Sequence, residues 1–213
     1  MTPALKTAYA AIGLVVGIAG LSIDAWVIFP PLLAQGRGPL DVLVYYWTYF
    51  THLTNLGLVL VYLAALVSWR GLGWFRRPQA QLSMAGFITL VMLLYHFMLA
   101  PYYQMEGALQ VATILLHYVS PLLYLVWWTL CASHGTMRFR DLPVMLLPGI
   151  LYVVWVLVRG LWAHEYPYDI LNPDKLGYGG VAIGVGIIFV AVSIFCLLLI
   201  WLDGRLRPAA IAR

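Results

Sequence analysis

Residues 177–202 read GYGGVAIGVGIIFVAVSIFCLLLIWL, a run without a single Asp, Glu, Lys or Arg. About 20 such residues, wound as a helix, cross the hydrocarbon of a bilayer. A small soluble fold has nowhere to hide so long an apolar stretch, so this run decides the class: the chain lies in lipid. Five more runs share its character, near 7–29, 44–69, 80–100, 108–132 and 142–163. Breaker residues separate them: Pro30-Pro31 with Gly36 and Gly38, Arg76-Arg77-Pro78, Pro101, and the segments 138–143 and 166–177. The expected architecture is all-α, a polytopic membrane protein of six transmembrane helices in one bundle, a single domain over 1–213.

Composition agrees. Of 213 residues, 63% are hydrophobic and 9% charged, against about 25% charged in an average soluble domain. The net charge of +4 is a topology signal and does not point to nucleic acid, because the basic residues sit in short tails and loops. Lys6, Arg70, Arg76, Arg77, Arg138, Arg140, Arg205, Arg207 and Arg213 fall on one side; Arg37, Arg159 and Lys175 fall on the other. The positive-inside rule then places both termini in the cytoplasm, as expected in a bacterial-type inner membrane. The first run follows a lone Lys6. It is too long for a signal-peptide core and lacks a convincing cleavage site, so it is read as retained. Cys131 and Cys196 lie within runs and are read as packing residues. Trp26, Trp47 and Trp162 fit an outer aromatic belt.

Polar groups inside the spans carry the functional information, since each costs several kcal/mol in hydrocarbon unless a partner is supplied. Asp24, Thr51, His52, Thr54, Asn55, His96, His117 and Arg159 all fall in the outer half of their spans. Interhelical clasps explain any one of them; a polar chamber open toward the outer leaflet explains the set. Along a continuous second helix, Thr48, Thr51 and Asn55 share a face, with His52 about 100° away. On the fourth, Thr113, His117 and Ser120 share a stripe, and Pro121 is expected to bend the helix. A hydroxyl and an imidazole at matched depth can act as nucleophile and base, although a lone helical Thr more often bonds back to its own helix.

Three stretches add a resemblance. Tyr49-Phe50-Thr51-x-x-Thr54-Asn55, Leu116-His117-x-x-x-Pro121, and Trp162 followed by Tyr166-Pro167-Tyr168-x-x-Leu171-Asn172-Pro173 are similar to a bacterial six-pass family. That family is related to the androgen-induced and androgen-dependent (TFPI-regulating) membrane hydrolases of animals. The resemblance implies a catalytic Thr on the second span and a catalytic His on the fourth, acting on fatty acid esters of hydroxy fatty acids. Carried over, these are Thr51 and His117, with Thr54 and, under a shifted register, His52 as rivals.

The expected function is therefore intramembrane lipid-ester hydrolysis by a Thr–His pair, with a membrane lipid or fatty acyl ester as partner and no metal or cofactor. Asn55 is read either as an oxyanion donor or as a clasp between helices, with Thr54, His52 and Ser120 as further supporting groups. Asp24 either orients a histidine or, the preferred reading, pairs with Arg159, which could instead hold a substrate carboxylate. His96 is a supporting or packing group. His134 is read as a loop residue, His164 and Glu165 as interfacial, and the segment 166–173 as a possible lid. Two other readings stay open: a haem protein using paired His, and a lipid or small-molecule transporter or binding scaffold. Oligomeric state is left open.

Overall fold

The computed structural model describes residues 1–102 and 105–207, and all its regular elements are helical. Arg213, counted above, lies outside the described residues. The α-helices are α1 Pro3–Ala34, α2 Pro39–Trp47, α3 Phe50–Leu66, α4 Pro78–Leu94, α5 Gly107–Ile114, α6 Ser120–Cys131, α7 Leu142–Ala163 and α8 Pro173–Arg205. Two π turns, Tyr95–Leu99 and Leu115–Val119, extend α4 and join α5 to α6. Five helical stretches are long and apolar enough to cross a membrane, and six if α2 and α3 make one span. This is a multi-pass membrane protein. Lys6 Nζ donates to the Cys131 carbonyl at 3.1 Å, and Asp203 of α8 holds the loop after α6. Both ends of the described chain therefore lie at one end of the bundle, called here the terminal end.

Two sequence expectations need correction. The run 44–69 is not one helix: α2 and α3 meet at an 80° bend, so Thr48 ends α2 and shares no helical face with Thr51 and Asn55. Nor do Pro30 and Pro31 stop the first helix, which continues to Ala34. A proline forfeits its N–H bond to the carbonyl one turn back and crowds that carbonyl. Pro30 and Pro31 are both exposed near the helix end, where the interface can solvate the freed carbonyls.

Close approach of α1 to its neighbours orients the bundle. Its buried residues Ala10, Gly13, Gly17, Gly20, Leu21 and Asp24 form one stripe. A Cβ at Gly13 would stand 2.3 Å from the Tyr62 ring, and one at Gly17 would stand 2.7 Å from Val59. Glycine at these positions lets the two backbones close up, which in lipid drives helix association through packing. The same stripe carries Asp24 to the start of α3. In the terminal half, Tyr62, Leu82, Ala85, Ile88, Tyr124, Trp127, Trp128, Met145 and Cys196 pack into one apolar core. Arg76 closes that end of α3, donating from Nε to the Ala64 carbonyl (3.0 Å) and from Nη2 to those of Val67 and Trp69. A cation there satisfies the last carbonyls and the negative end of the helix dipole.

Candidate functional site

Breaking a helix inside a membrane frees backbone groups that lipid cannot satisfy, so the α2–α3 bend must find partners within the protein. The Tyr46 carbonyl accepts from His52 Nδ1 at 2.7 Å, and the Thr48 carbonyl accepts from the Tyr152 hydroxyl at 3.1 Å. The Phe50 N–H, first of the orphan donors of α3, donates to the Tyr168 hydroxyl at 3.1 Å. Aromatic rings fill the corner: Tyr46 stacks on His52 at 3.9 Å, and Tyr49 meets Tyr168 edge-on at 5.9 Å. Thr51 is thereby placed in the first turn of a new helix, in the positive field of its N-terminus.

The hydroxyls of the second span differ in what they do. Thr48 Oγ1 donates to the Val44 carbonyl (2.6 Å) and Thr54 Oγ1 to that of Phe50 (2.8 Å), the ordinary fate of a hydroxyl in an apolar helix. Thr51 makes no such bond and is only partly buried, whereas Thr54 is buried. Tyr168 lies beside Thr51: burial pushes that phenol up, and hydrogen bonding to Thr51 opposes the shift. Ser120 is buried with its hydroxyl unpartnered.

His117 lies in the π turn. There the Ser120 N–H reaches back to the Leu115 carbonyl, five residues away. The Leu116 carbonyl therefore loses its usual donor, and Pro121 has no N–H to offer His117. Asn55 supplies the missing bond: Nδ2 donates to the Leu116 carbonyl at 3.1 Å and to the Thr51 carbonyl at 2.9 Å. One amide thus pins the turn bearing Thr51 to the turn bearing His117. Both of its hydrogens are spent on backbone, leaving none for an oxyanion, and its Oδ1 is buried without a partner.

Three histidines of this half, His52, His96 and His117, are in different states of engagement. His117 Nδ1 faces the Thr113 carbonyl at 3.0 Å. A carbonyl only accepts, so Nδ1 carries the proton and Nε2 the free lone pair. The ring stacks on Tyr95 at 4.0 Å. His52 has both nitrogens occupied: Nδ1 on Tyr46, and Nε2 3.0 Å from Asp24 Oδ2. That second contact is off line, so Asp24 Oδ2 has no aligned donor although Asp24 is only 5% exposed. His96 is exposed and faces the Tyr118 hydroxyl at 3.1 Å through Nδ1.

The preferred pairing of Asp24 with Arg159 is overturned. Arg159, 2% exposed, donates from Nη2 to Glu165 Oε2 at 2.9 Å and from Nη1 to the Glu165 carbonyl at 3.1 Å. Asp24 faces the opposite way, because the glycine stripe of α1 turns it toward α3. Three partners escaped the sequence reading. Glu165 is half-buried between Arg159 and Arg37; Tyr168 reaches the α3 N-terminus; and Asp203 pairs with His134, which is no free loop residue. A lone acid beside Arg205 and Arg207 in the last turn of a span was the available signal for Asp203. Helix C-termini favour cations there, so an acid implies a local partner.

Among the described residues, no group of three or more His, Cys, Asp or Glu is placed to hold a metal ion. The side chains of Thr51 and His117 form no hydrogen bond with each other; Asn55 joins their backbones. Compared with protein families, with curated proteins and with solved structures, the chain matches none of them.

Proposed function

We propose that this protein is an integral-membrane hydrolase of lipid esters, with Thr51 as nucleophile and His117 as general base. The observation that carries the reading is Asn55. It ties the turn holding a hydroxyl not spent on its own helix to the turn holding an imidazole whose Nε2 is free. The α2–α3 bend strengthens the case, since a helix start favours the negative charge that develops on an ester oxygen. In the reaction His117 Nε2 takes the Thr51 proton while Oγ1 attacks the ester carbonyl. The tetrahedral adduct collapses as the imidazolium protonates the departing alkoxide. Water, deprotonated by Nε2, then releases the acyl group as a carboxylic acid and restores Thr51. Catalytic bonds are commonly long in the empty enzyme and tighten around substrate, which is what an unmade Thr51–His117 bond requires.

On this reading the chain crosses the membrane six times, α2 and α3 together forming the second span, with both ends in the cytoplasm. Lys6, Arg70, Arg76, Arg77, Arg138, Arg140, Arg205 and Arg207 gather at the terminal end, as the positive-inside rule asks. The ester of a fatty acid, including one borne by a hydroxy fatty acid, enters from the outer leaflet.

The test is hydrolysis of a medium-chain p-nitrophenyl ester by purified protein. Thr51→Ala and His117→Ala are each expected to lose at least about 100-fold in kcat, the range for removing a nucleophile or its base. Thr54→Ala should keep the wild-type rate. Full activity in both Thr51→Ala and His117→Ala would end the assignment.

A further inference from the structure

At the end of the bundle opposite the termini, an open groove of about 530 Å³ runs between α2 and α7. Thr51 and His117 do not line it. Its walls are Leu40 and Val44 from α2 and Trp155, Trp162 and Ala163 from α7; its polar side is Arg37, Arg159, Asp41 and Glu165. The arrangement of those four charges is unusual. Glu165 accepts from Arg37 Nη2, from Arg37 Nη1 at 3.2 Å and from Arg159 Nη2 at 2.9 Å. Two guanidinium groups from separate segments thus grip one carboxylate, the geometry by which proteins recognise carboxylate and phosphate. Asp41 touches only Arg37, at 3.4 Å, and is half exposed. Arg159 also keeps a buried Nε without a partner. A left-handed residue, His164 (φ 52), ends α7 and turns Glu165 back over the last helical turn. Glu165 itself is one-third exposed on a loop, so it can leave without disturbing the core.

We propose that Glu165 occupies the seat of a ligand: Arg37 and Arg159 form a clamp for the acidic head of a single-chain lipid, whose tail lies along Leu40, Val44, Trp155 and Trp162. Charge complementarity selects the head, because displacing Glu165 leaves a buried guanidinium that only another anion can neutralise. The apolar walls select the tail. The site stands apart from Thr51, and it holds whether or not that residue turns over an ester. Binding exchanges one anion for another, so affinity is set by competition with Glu165.

Native mass spectrometry of the purified protein in neutral detergent, titrated with lauric acid, dodecyl phosphate or dodecanol, tests this. One equivalent of either acid is expected to bind, with dodecanol at least about ten-fold weaker, a modest value for a charge-assisted contact. Glu165→Gln removes the internal competitor and should tighten laurate by about ten-fold. Arg159→Gln should weaken it by a similar factor, and Arg37→Gln, at a more exposed position, checks the clamp if the Arg159 variant folds poorly. Repeating the titration in Thr51→Ala separates binding from hydrolysis. Equal binding of laurate and dodecanol, or an unchanged or weaker laurate affinity in Glu165→Gln, overturns the proposal.

Discussion

The two ends of the bundle each bury an Asp–His pair, and the pairs are built to different standards. At the terminal end Asp203, 1% exposed, receives His134 Nδ1 at 3.1 Å, the Gly135 N–H at 2.9 Å and the Met137 N–H at 3.1 Å. His134 donates its other nitrogen to the Thr129 carbonyl at 3.1 Å. Every group has a partner, and the result is a clip between the α6–α7 loop and the last turn of α8. At the other end Asp24 has the off-line His52 and, close by, a Tyr46 hydroxyl that spends its proton on the Leu21 carbonyl. In the same half Asn55 Oδ1, Ser120 Oγ and Arg159 Nε are likewise buried without partners, against the Tyr62 hydroxyl in the terminal core. Buried polar groups are normally satisfied, and exceptions ask for a reason. A half that tolerates several exceptions, a broken helix and π turns is shaped by something other than stability. The terminal half, with its closed apolar core, supplies the stability that this arrangement forgoes.

The largest expected effect tests the better-built pair. Asp203→Ala leaves an imidazole and two backbone N–H groups buried without an acceptor. The expected loss is about 3–5 kcal/mol, since each buried donor left unpaired costs about 1–3 kcal/mol. SDS-induced unfolding of the purified protein measures it. If Asp203→Ala costs no more than Asp24→Ala, the contrast between the ends fails.

Next is Asn55→Ala, which strands the Leu116 carbonyl and unties the Thr51 turn. It should cost about 1–2 kcal/mol, the upper part of the range for interhelical bonds in lipid. Its effect on ester hydrolysis should exceed its effect on unfolding, because the variant loosens the relation between Thr51 and His117. Asp24→Ala follows at about 1 kcal/mol, since the contacts it removes are poorly aligned. A loss as large as that of Asp203→Ala would mean that Asp24 is as well held as its counterpart.

The same contrast governs what could be read in the sequence. Spans were legible because apolar run length is a one-dimensional property, and 142–163 and α7 coincide in full. The bend at Thr48-Tyr49 was not, because neither Pro nor Gly marks it. Tyr152, Tyr168 and His52 hold it from other segments or across the corner. Pro121 signalled a disturbance on α6, but only the chain geometry shows that the disturbance is a π turn and that Asn55 answers it. Partner choice was the least legible. Asp24 follows Gly13, Gly17 and Gly20 on one face, so the spacing marks it as packed against a close neighbour but does not say which helix that is. The pairing of Arg159 with a residue six positions on depends on a left-handed turn at His164, which no periodicity reveals.

The smallest expected effect lies at the groove mouth, where Glu165 closes the less stable end. Arg37, and then Arg159, hold its carboxyl below the ordinary 4.5. A group whose folded value is lowered stabilises fully above its unfolded value and loses that contribution as pH falls through the folded one. The grip on the 164–172 loop is therefore complete at neutral pH and is released only in acid, below the ordinary carboxyl range. Because Glu165 is one-third exposed, solvent screening keeps the effect local. Hydrogen exchange in that loop, corrected for the intrinsic pH dependence, should rise as pH drops below 4.5, while the clip at Asp203 stays protected. Glu165→Gln should show the fast exchange at every pH. A loop that remains equally protected in acid, or in that variant, would mean that the mouth is held by its aromatic packing and not by the carboxylate.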